Sequence, residues 1–305
     1  MPKAFYGDYL ANTINPLVPL FVILLREAMF MATETRVEII SVGNELLIGK
    51  ILNTNAQFLA KRVTMLGMKI TRVTTIADSV DEIAKTFLEA LPRKPRFVII
   101  TGGLGPTFDD MTLEGVAKAL NRRLEVNAEA LGMVKERYDS YVQTKNDQTL
   151  ELTPPRVKMA TIPEKTEPIR NPVGTAPAVR VNVGKTVVFL LPGVPREMEA
   201  IFEETIAPLL NRASTGSAFH EDSIYVSEIM ESTIAPLIDS VMHSNPSVYI
   251  KSHPKGAESK PSIEIHFSIT AAETEKAKEK LQAAKEQLSR LITENSGKIN
   301  GTQSN

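Results

Sequence analysis

The sequence predicts an α/β protein, with a mostly parallel sheet flanked by helices and a small α+β unit after it. Three observations predict this fold. From Val37 to Leu120, short β-rich runs alternate with segments of helical period. One of these runs, Phe97–Ile100, is wholly apolar, as is typical of a parallel strand that is buried on both faces. Beyond the small, polar stretch Asn211–Phe219, the order changes to β-α-β-β-α.

The elements of the first part follow from period and from turn residues. Gly67 closes the first helix, and Gly184 joins the last two strands. The predicted elements are strand Val37–Val42, helix Thr54–Leu66, strand Lys69–Ile76, helix Val80–Leu91, strand Phe97–Ile100, helix Asn127–Lys145, strands Ala178–Val183 and Thr186–Leu191, and a helix through Leu210. Thr153–Pro177 is rich in proline and polar residues and is predicted to be a long loop.

The second part is predicted to contain strands Ser223–Val226, Ser247–Lys251 and Ser262–Thr270 and helices Glu231–Met242 and Ala271–Ile292. We therefore expect one domain at residues 36–212 and a second at 220–294. Residues 1–35 are predicted to be a disordered extension, because their apolar run Pro16–Leu25 is too short to span a bilayer and is interrupted by prolines. Residues 295–305 are predicted to be a disordered tail.

Composition limits the function. The 305 residues carry a formal net charge of −1, so no basic field recruits nucleic acid or an anionic membrane, and we expect neither as a partner. The absence of cysteine excludes disulfides, thiolate metal sites and cysteine nucleophiles, and is compatible with the expected cytoplasmic location. The four histidines have no zinc-type spacing.

The strongest functional motif is Thr101–Asp110, TGGLGPTFDD. It follows a buried strand and precedes a helix, and its glycines remove side chains where the backbone must turn sharply and approach a ligand. Backbone amides in such a loop, together with the helix N-terminus, form an anion site. The residues predicted to bind phosphate here are Gly102, Gly103, Leu104, Gly105, Pro106 and Thr107.

Two carboxylates, Asp109 and Asp110, end this motif. Carboxylates beside a phosphate loop usually bind a divalent cation or transfer protons, so both are predicted metal ligands and Asp110 is also a predicted catalytic residue. Capping of the next helix is the alternative for Asp110, but capping explains one aspartate and none of the glycines.

Further polar residues are predicted at the same edge of the sheet, because ligands of parallel sheets bind at the carboxyl ends of the strands. Asp78 follows the second strand and is predicted to be catalytic, with a turn or capping role as the alternative. Capping explains one of the two asparagines near the first helix, and an ordinary loop is the alternative at 171–177. The other predicted nucleotide-binding residues are Asn44, Glu45, Asn53, Asn55, Asn171, Gly174, Thr175, Pro192 and Gly193.

Several segments together resemble the N-terminal domain of the CinA family of competence/damage-inducible proteins, which has the molybdopterin-binding, MoaB/Mog-like fold. They are VGNELLIGKILNTNAQFLAKRVTMLGM, the turn at Asp78, TGGLGPTFDDMT, KMATIP, NPVGTAPAV and PGVPREM. The resemblance covers the chain from about Arg36 to its end. It implies a three-layer α/β/α domain and a small KH-type domain after it. Gly43-Asn44-Glu45 departs from the family's usual GDE or GTE and weakens any metal role at position 44.

The resemblance also implies chemistry. In Mog-like proteins two aspartates act on the pterin, and they correspond to Asp78 and Asp110. CinA-type domains hydrolyse the pyrophosphate of ADP-ribose or a related dinucleotide with a divalent metal, here magnesium or cobalt. We therefore expect a metal-dependent nucleotide pyrophosphatase, with a molybdopterin-binding protein of molybdenum cofactor biosynthesis as the alternative. The family's C-terminal deamidase domain has no counterpart in this sequence, so no deamidase activity is expected.

The small domain is not expected to bind RNA, since His253–Ser259 lacks the GxxG loop of a KH site. It is expected to mediate a homodimer or to cover the active site.

Overall fold

The computed structural model describes residues 35–145, 151–214, 216–255 and 262–304. The predicted extension at 1–35 lies, apart from Thr35, outside them. The helices described are α1 (Asn44–Leu47), α2 (Thr54–Met65), α3 (Val80–Ala90), α4 (Thr112–Ala119), α5 (Ala128–Lys145), α6 (Pro154–Lys158), α7 (Pro195–Ile201), α8 (Ala207–Ala213), α9 (Glu231–Ser244) and α10 (Thr274–Glu294). A 3₁₀ turn, Leu91–Arg93, follows α3, and a π-helical segment, Phe202–Ile206, joins α7 to α8.

The strands described are β1 (Arg36–Val42), β2 (Lys69–Ile76), β3 (Phe97–Thr101), β4 (Leu124–Val126), β5 (Thr161–Pro163), β6 (Glu167–Ile169), β7 (Ala178–Val183), β8 (Thr186–Leu191), β9 (Ala218–Ser227), β10 (Tyr249–Pro254), β11 (Ser262–Ala271) and β12 (Lys298–Ser304). Six of them form one sheet in the order β2-β1-β3-β8-β7-β6. The pairs β1–β2, β1–β3 and β3–β8 are parallel, whereas β7 and β6 add antiparallel at one edge. The predicted mostly parallel sheet is confirmed.

The central strands are buried on both faces, and successive residues alternate between two cores. Ile40 and Ile100 pack with α3, α4 and α5 on one face. Ile39 and Ile99 pack with α2, α7 and α8 on the other face. This alternation, which follows from the two-residue period of a strand, makes the first part a three-layer sandwich. It also explains why these strands read as continuous apolar runs.

One charged side chain lies inside the sheet. Glu38 of β1 is 2% exposed and accepts two hydrogen bonds from Arg93, at 2.7 and 2.6 Å. Arg93 lies on the 3₁₀ turn after α3, so the ion pair ties the end of that helix to the start of the sheet. The pairing satisfies a carboxylate that burial alone would make unfavourable.

The second part has an antiparallel sheet in the order β10-β11-β9-β12. Helices α9 and α10 cover it with a core that includes Ile234 and Leu288. The predicted α+β unit is therefore present. Residues Thr35–Asn305 belong to one compact unit, and the domain boundary between residues 212 and 220 stays a prediction.

Two expectations are wrong. The tail at 295–305 contains β12, which pairs antiparallel with β9 through backbone hydrogen bonds that its polar sequence does not reveal. Thr153–Pro177 is not one long loop, because it contains α6, β5 and β6. These strands are three residues long, too short for alternation to show. β5 pairs with β4, which lies far from it in sequence, and β6 pairs with β7, the next strand along the chain.

The expected linker Asn211–Phe219 is shorter than predicted, because α8 continues to Ala213 and β9 begins at Ala218. Within the described ranges, every helix is too short or too polar to cross a bilayer.

Candidate functional site

The carboxyl ends of β1 and β2 meet, as the parallel pairing requires. Gly43 leaves β1 and α1 begins at Asn44, whose backbone N–H donates a 2.7 Å hydrogen bond to Oδ2 of Asp78. Asp78 lies in the turn after β2. This bond joins two of the predicted site segments, and it leaves the half-buried carboxylate of Glu45, on α1, directed back over Gly43.

The glycine loop continues from β3 and packs directly on its neighbours. Gly102 has a φ of 108°, and a Cβ there would overlap the carbonyl oxygen of Val42. The N–H of Gly102 donates to Leu191 at 3.0 Å, and the hydroxyl of Thr112 donates to the Gly102 carbonyl at 2.7 Å. Gly103 has a φ of 65°, which again favours glycine. Glycine is therefore required at positions 102 and 103, where the loop passes between β1 and α4.

Three successive amides in this loop are free of internal acceptors. No hydrogen bond within the described residues involves the N–H groups of Gly103, Leu104 or Gly105. The Leu104 side chain is 2% exposed and anchors the loop in the core, so this residue can offer a ligand only its backbone. Consecutive amides at the entrance to a helix are an anion-binding arrangement.

Asp110 closes the second half of the loop. Its Oδ2 accepts hydrogen bonds from the Thr107 N–H at 2.8 Å and from the Thr107 hydroxyl at 2.5 Å. The same hydroxyl also reaches Asp109, but its single proton can serve only one carboxylate at a time. The N-cap of α4 is Met111, without a side-chain bond, so the capping alternative for Asp110 is wrong.

Lys158, which was not predicted as a site residue, joins this loop from α6. Its Nζ donates to the carbonyl oxygen of Thr107. It lies in the recognised segment KMATIP, so the motif pointed to the segment but not to its lysine. Among the described residues it is the cation whose charge acts on Asp109: the Thr107 hydroxyl first, and then the Asp109 amide and Lys158, hold the pKa of Asp109 below its usual range.

The pKa of Asp78 responds to carboxylates on α1 and on the glycine loop. Burial, first, and then the charges of Glu45, Asp109 and Asp110 raise the pKa of Asp78, while the hydrogen bond from Asn44 opposes the rise. The charge state of Asp78 is therefore coupled to the carboxylates of the glycine loop.

The two asparagines near α2 have different roles. Asn53 caps α2, accepting from the Ala56 N–H at 3.0 Å. Asn55 is not a cap: its Nδ2 donates to the Thr101 hydroxyl at 3.0 Å and to the Gly193 carbonyl at 2.8 Å. Asn55 therefore connects the base of the glycine loop to the turn after β8.

That turn lies against the glycine loop. The Thr101 hydroxyl donates to the Pro192 carbonyl at 3.0 Å, and a Cβ on Gly193 would lie 3.3 Å from Cα of Gly102. Pro192 and Gly193 thus lie next to Thr101 and Gly102, and their predicted role in nucleotide binding stays a prediction. The turn contacts the base of the glycine loop through its backbone, directly by the carbonyl group of Pro192 and through Asn55 by that of Gly193.

The segment 171–175 lines a separate cavity beside α5, with Arg137 and Arg170. Asn171 is buried, and its amide is used within the protein, since it donates to Ala176 and Glu197 and accepts from Gly174. Gly174 has no room for a side chain because Glu197 occupies it. Thr175 lines the cavity. The structure therefore does not place this segment in the cavities beside the glycine loop.

A divalent metal fits these residues only in part. Among the described residues, no three histidines, aspartates or glutamates are placed to hold a metal ion together. Asp110 already accepts two bonds from Thr107, which leaves Asp109 as the more available carboxylate. Magnesium is commonly held by one or two carboxylates and by the phosphates of its ligand. The donor set fits such a ligand-dependent ion and does not fit a preformed metal site.

Residues 38–212 match the protein family described as a probable molybdopterin binding domain. The chain belongs to this family. Its matched region is the six-stranded domain that carries the glycine loop. Of the two predicted functions, the match favours molybdopterin binding over dinucleotide hydrolysis.

Similar proteins extend beyond this domain. A protein of Metallosphaera sedula is 42% identical over 267 residues, which are 87% of this chain and 97% of that protein. A protein of Aeropyrum pernix is 44% identical over 270 residues, 88% of this chain and 98% of that one. The crystal structure of CinA from Thermoplasma acidophilum, a protein with unknown function, is 41% identical, with a TM-score of 0.52 over 58% of this chain and 99% of that chain. The predicted CinA-like, MoaB/Mog-type identity is confirmed.

Proposed function

We propose that this protein binds a phosphorylated pterin of the molybdopterin class, with the phosphate on the glycine loop. The observation that carries the proposal is the row of free amides at Gly103, Leu104 and Gly105. Family membership supports a pterin as the ligand. Lys158 adds a cation beside this row, which offsets the repulsion between an anion and the nearby carboxylates.

The test uses neopterin monophosphate, a soluble phosphorylated pterin, and follows its fluorescence as the protein is added. We expect saturable quenching, because the pterin leaves water for the site. Lys158→Met should weaken binding about 10-fold, the usual effect of removing a charge-assisted contact. The exposed Lys135 on α5 provides the matched control, Lys135→Met, with unchanged affinity. Absence of saturable binding up to millimolar protein would contradict the proposal.

Dinucleotide hydrolysis is a second candidate, favoured by the raised pKa of Asp78 beside the glycine loop. With a pyrophosphate on the loop, a water attacks one phosphorus and gives its proton to the Asp78 carboxylate. The anhydride P–O bond breaks, and the other phosphate leaves with the electron pair. The loop amides stabilise the charge that develops on the phosphoryl oxygens. A divalent ion, when bound by Asp109 and the ligand's phosphates, would withdraw charge from phosphorus.

The assay for this candidate is the formation of AMP from ADP-ribose with magnesium or cobalt ions. Asp78→Asn should lower kcat by about 100-fold or more, since it removes the proton acceptor. Asp110→Ala should reduce both binding and turnover, because it removes the oxygen that accepts hydrogen bonds from the Thr107 N–H and hydroxyl. If no dinucleotide is cleaved with any of several metals, this second candidate fails and the binding proposal is unaffected.

A further inference from the structure

A cavity opens beside the glycine loop, on the side of α1 and α2. Its lining includes Glu45, Leu46, Ile51, Leu52, Asn55 and Gly102. We infer that this cavity receives the ring of the bound pterin, and that Glu45 selects a ring whose edge carries two adjacent N–H donors. The inference rests on the proposed function, because the phosphate of the same ligand would lie on the loop.

Two acceptors that line this cavity have no donor within the described residues. Within the described residues, no hydrogen bond or ion pair engages the carboxylate of Glu45, which is half-buried. Its Oε1 would lie 2.6 Å from a Cβ on Gly43, so the carboxylate bends back towards the end of β1. Asn55 is 9% exposed, and its Oδ1 is buried without a partner in the described chain.

Two donors on the same segments as these acceptors are already used. The Asn44 N–H is bonded to Asp78, and both Asn55 amide bonds run to Thr101 and Gly193. Because a half-buried acceptor is stabilised when a donor reaches it, the cavity is complementary to a ligand that brings N–H groups.

Part of the remaining wall is apolar and suits a flat ring. Leu46, Ile51 and Leu52 line this side, and Leu52 is 84% exposed although it is a large aliphatic residue. Apolar walls with a few acceptors or donors at fixed points are the usual composition of a small-molecule site. A fused ring lying against these side chains would bury them and bring its edge to Glu45.

Pterins and guanine share the edge that this arrangement recognises. Each presents a ring N–H next to an exocyclic amino group, so a carboxylate can accept two parallel, charge-assisted bonds. Adenine presents a ring nitrogen lone pair at the corresponding position, which a carboxylate repels. Ribose hydroxyls are also donors, but they are the same in guanine and adenine nucleotides and therefore cancel in a comparison.

The experiment measures the binding of GMP, IMP and AMP by calorimetry. IMP keeps the ring N–H of guanine and lacks its amino group. We expect GMP to bind about 10-fold or more tightly than AMP, with IMP between them. Glu45→Gln should abolish the preference, because one of its two groups becomes a donor facing a donor. Glu82→Gln, an exposed carboxylate on α3, should keep the wild-type preference. Equal affinities in the wild type, or a preference that persists in Glu45→Gln, would overturn the inference.

Inorganic pyrophosphate separates this inference from the proposal beneath it. Saturable pyrophosphate binding without any preference among the three nucleotides overturns the recognition of the ring and leaves the glycine loop as an anion site. Absence of binding by pyrophosphate and by all three nucleotides overturns both. Thermal unfolding followed by circular dichroism establishes that each variant is folded before its affinities are compared.

Discussion

Gly102 shows how closely the site depends on single residues. Its φ of 108° and its contact with the Val42 carbonyl both exclude a side chain. The residue stands where β1, β3 and the turn at Gly193 come together, so a shift there moves every amide of the loop. The glycine thus serves the fold and the site through the same lack of a Cβ.

We expect Gly102→Ala to destabilise the protein by about 2–4 kcal/mol, since it combines backbone strain with an overlap in a packed region. Neopterin monophosphate binding should be lost. Denaturant unfolding and the fluorescence titration measure the two effects. Gly132→Ala is the control: α5 leaves open space of 4 Å around that position, and we expect a gain of about 0.5–1 kcal/mol. If Gly102→Ala had the stability and the affinity of the wild type, the packing described around Gly102 would be contradicted.

Asp78 should make stability depend on pH in an unusual direction for an aspartate. Its pKa is raised in the folded protein from an ordinary value of 3.8, so its stabilising contribution is present below that value and is lost as pH rises through the folded pKa. At neutral pH the charged group opposes folding. We therefore expect Asp78→Asn, which can still accept from Asn44, to raise Tm by a few degrees at pH 7 and by less towards pH 4.

Circular dichroism melts between pH 4 and 8 test this expectation, with the exposed Asp239→Asn on α9 as the control that should show no such trend. A lower Tm for Asp78→Asn at pH 7 would mean that the charged carboxylate is needed to hold α1. Loss of turnover together with a gain in stability is the pattern typical of active-site residues.

Among the elements, the strongly periodic helices and apolar strands were predictable, and the short or polar ones were not. β2, β7 and β8 have the predicted bounds, because alternation or a continuous apolar run marks them along their whole length. β12 has one apolar residue, Ile299, that packs on the core of the second sheet. Its order comes from the edge of β9, whose backbone groups it satisfies.

Truncation after Asn295 tests the role of β12. Its removal exposes the edge of β9 and removes the contacts of Ile299 with the core. We therefore expect the free energy of unfolding to fall by about 1 kcal/mol or more. Self-association should also increase, because an unpaired edge can pair with another chain. Chemical unfolding and gel filtration give the readouts, and removal of Asn305 alone is the control. A fully neutral truncation would restore the expectation of a disordered tail.

At the scale of the whole molecule, the six-stranded and the four-stranded sheet have cores without shared residues. Both cores of the six-stranded sheet lie between Val37 and Leu210, and the core of the four-stranded sheet lies between Ile224 and Ile292. Contact between the two parts is local; for example, Gly67 at the end of α2 has no room for a Cβ beside Ser217.

We therefore expect residues 35–214 to fold alone and to unfold cooperatively, because each apolar face of their sheet is already covered. Far-ultraviolet circular dichroism and the dispersion of amide resonances are the measurements. The piece should still bind neopterin monophosphate, as all residues of the proposed site lie within it. A collapsed state without dispersed resonances would show that the second sheet is needed for folding.

The candidate site was predictable in part. The glycine loop was recognisable because a positive φ and a close approach between backbone segments both require glycine, and glycines can be read directly from the sequence. Lys158 was not recognised, since a lysine in a helix resembles any solvated residue until its contact with Thr107 is seen. The segment 171–175 was placed with the loop on motif grounds, but the contacts of Asn171 assign it to another cavity.

By itself the sequence determined the layered α/β arrangement, the bounds of the long elements and the place of the anion loop. Those features depend on the periodicity of apolar residues and on local backbone conformation, and both are set by residues that are close together in the sequence. Only the tertiary structure decided that Asp110 closes a turn rather than capping a helix and that Glu38 is buried with Arg93. It also decided that Glu45 lines a cavity while no donor of the described chain reaches its carboxylate. Each of these depends on which distant groups meet, and hydrogen-bond partners and burial are properties of the folded chain.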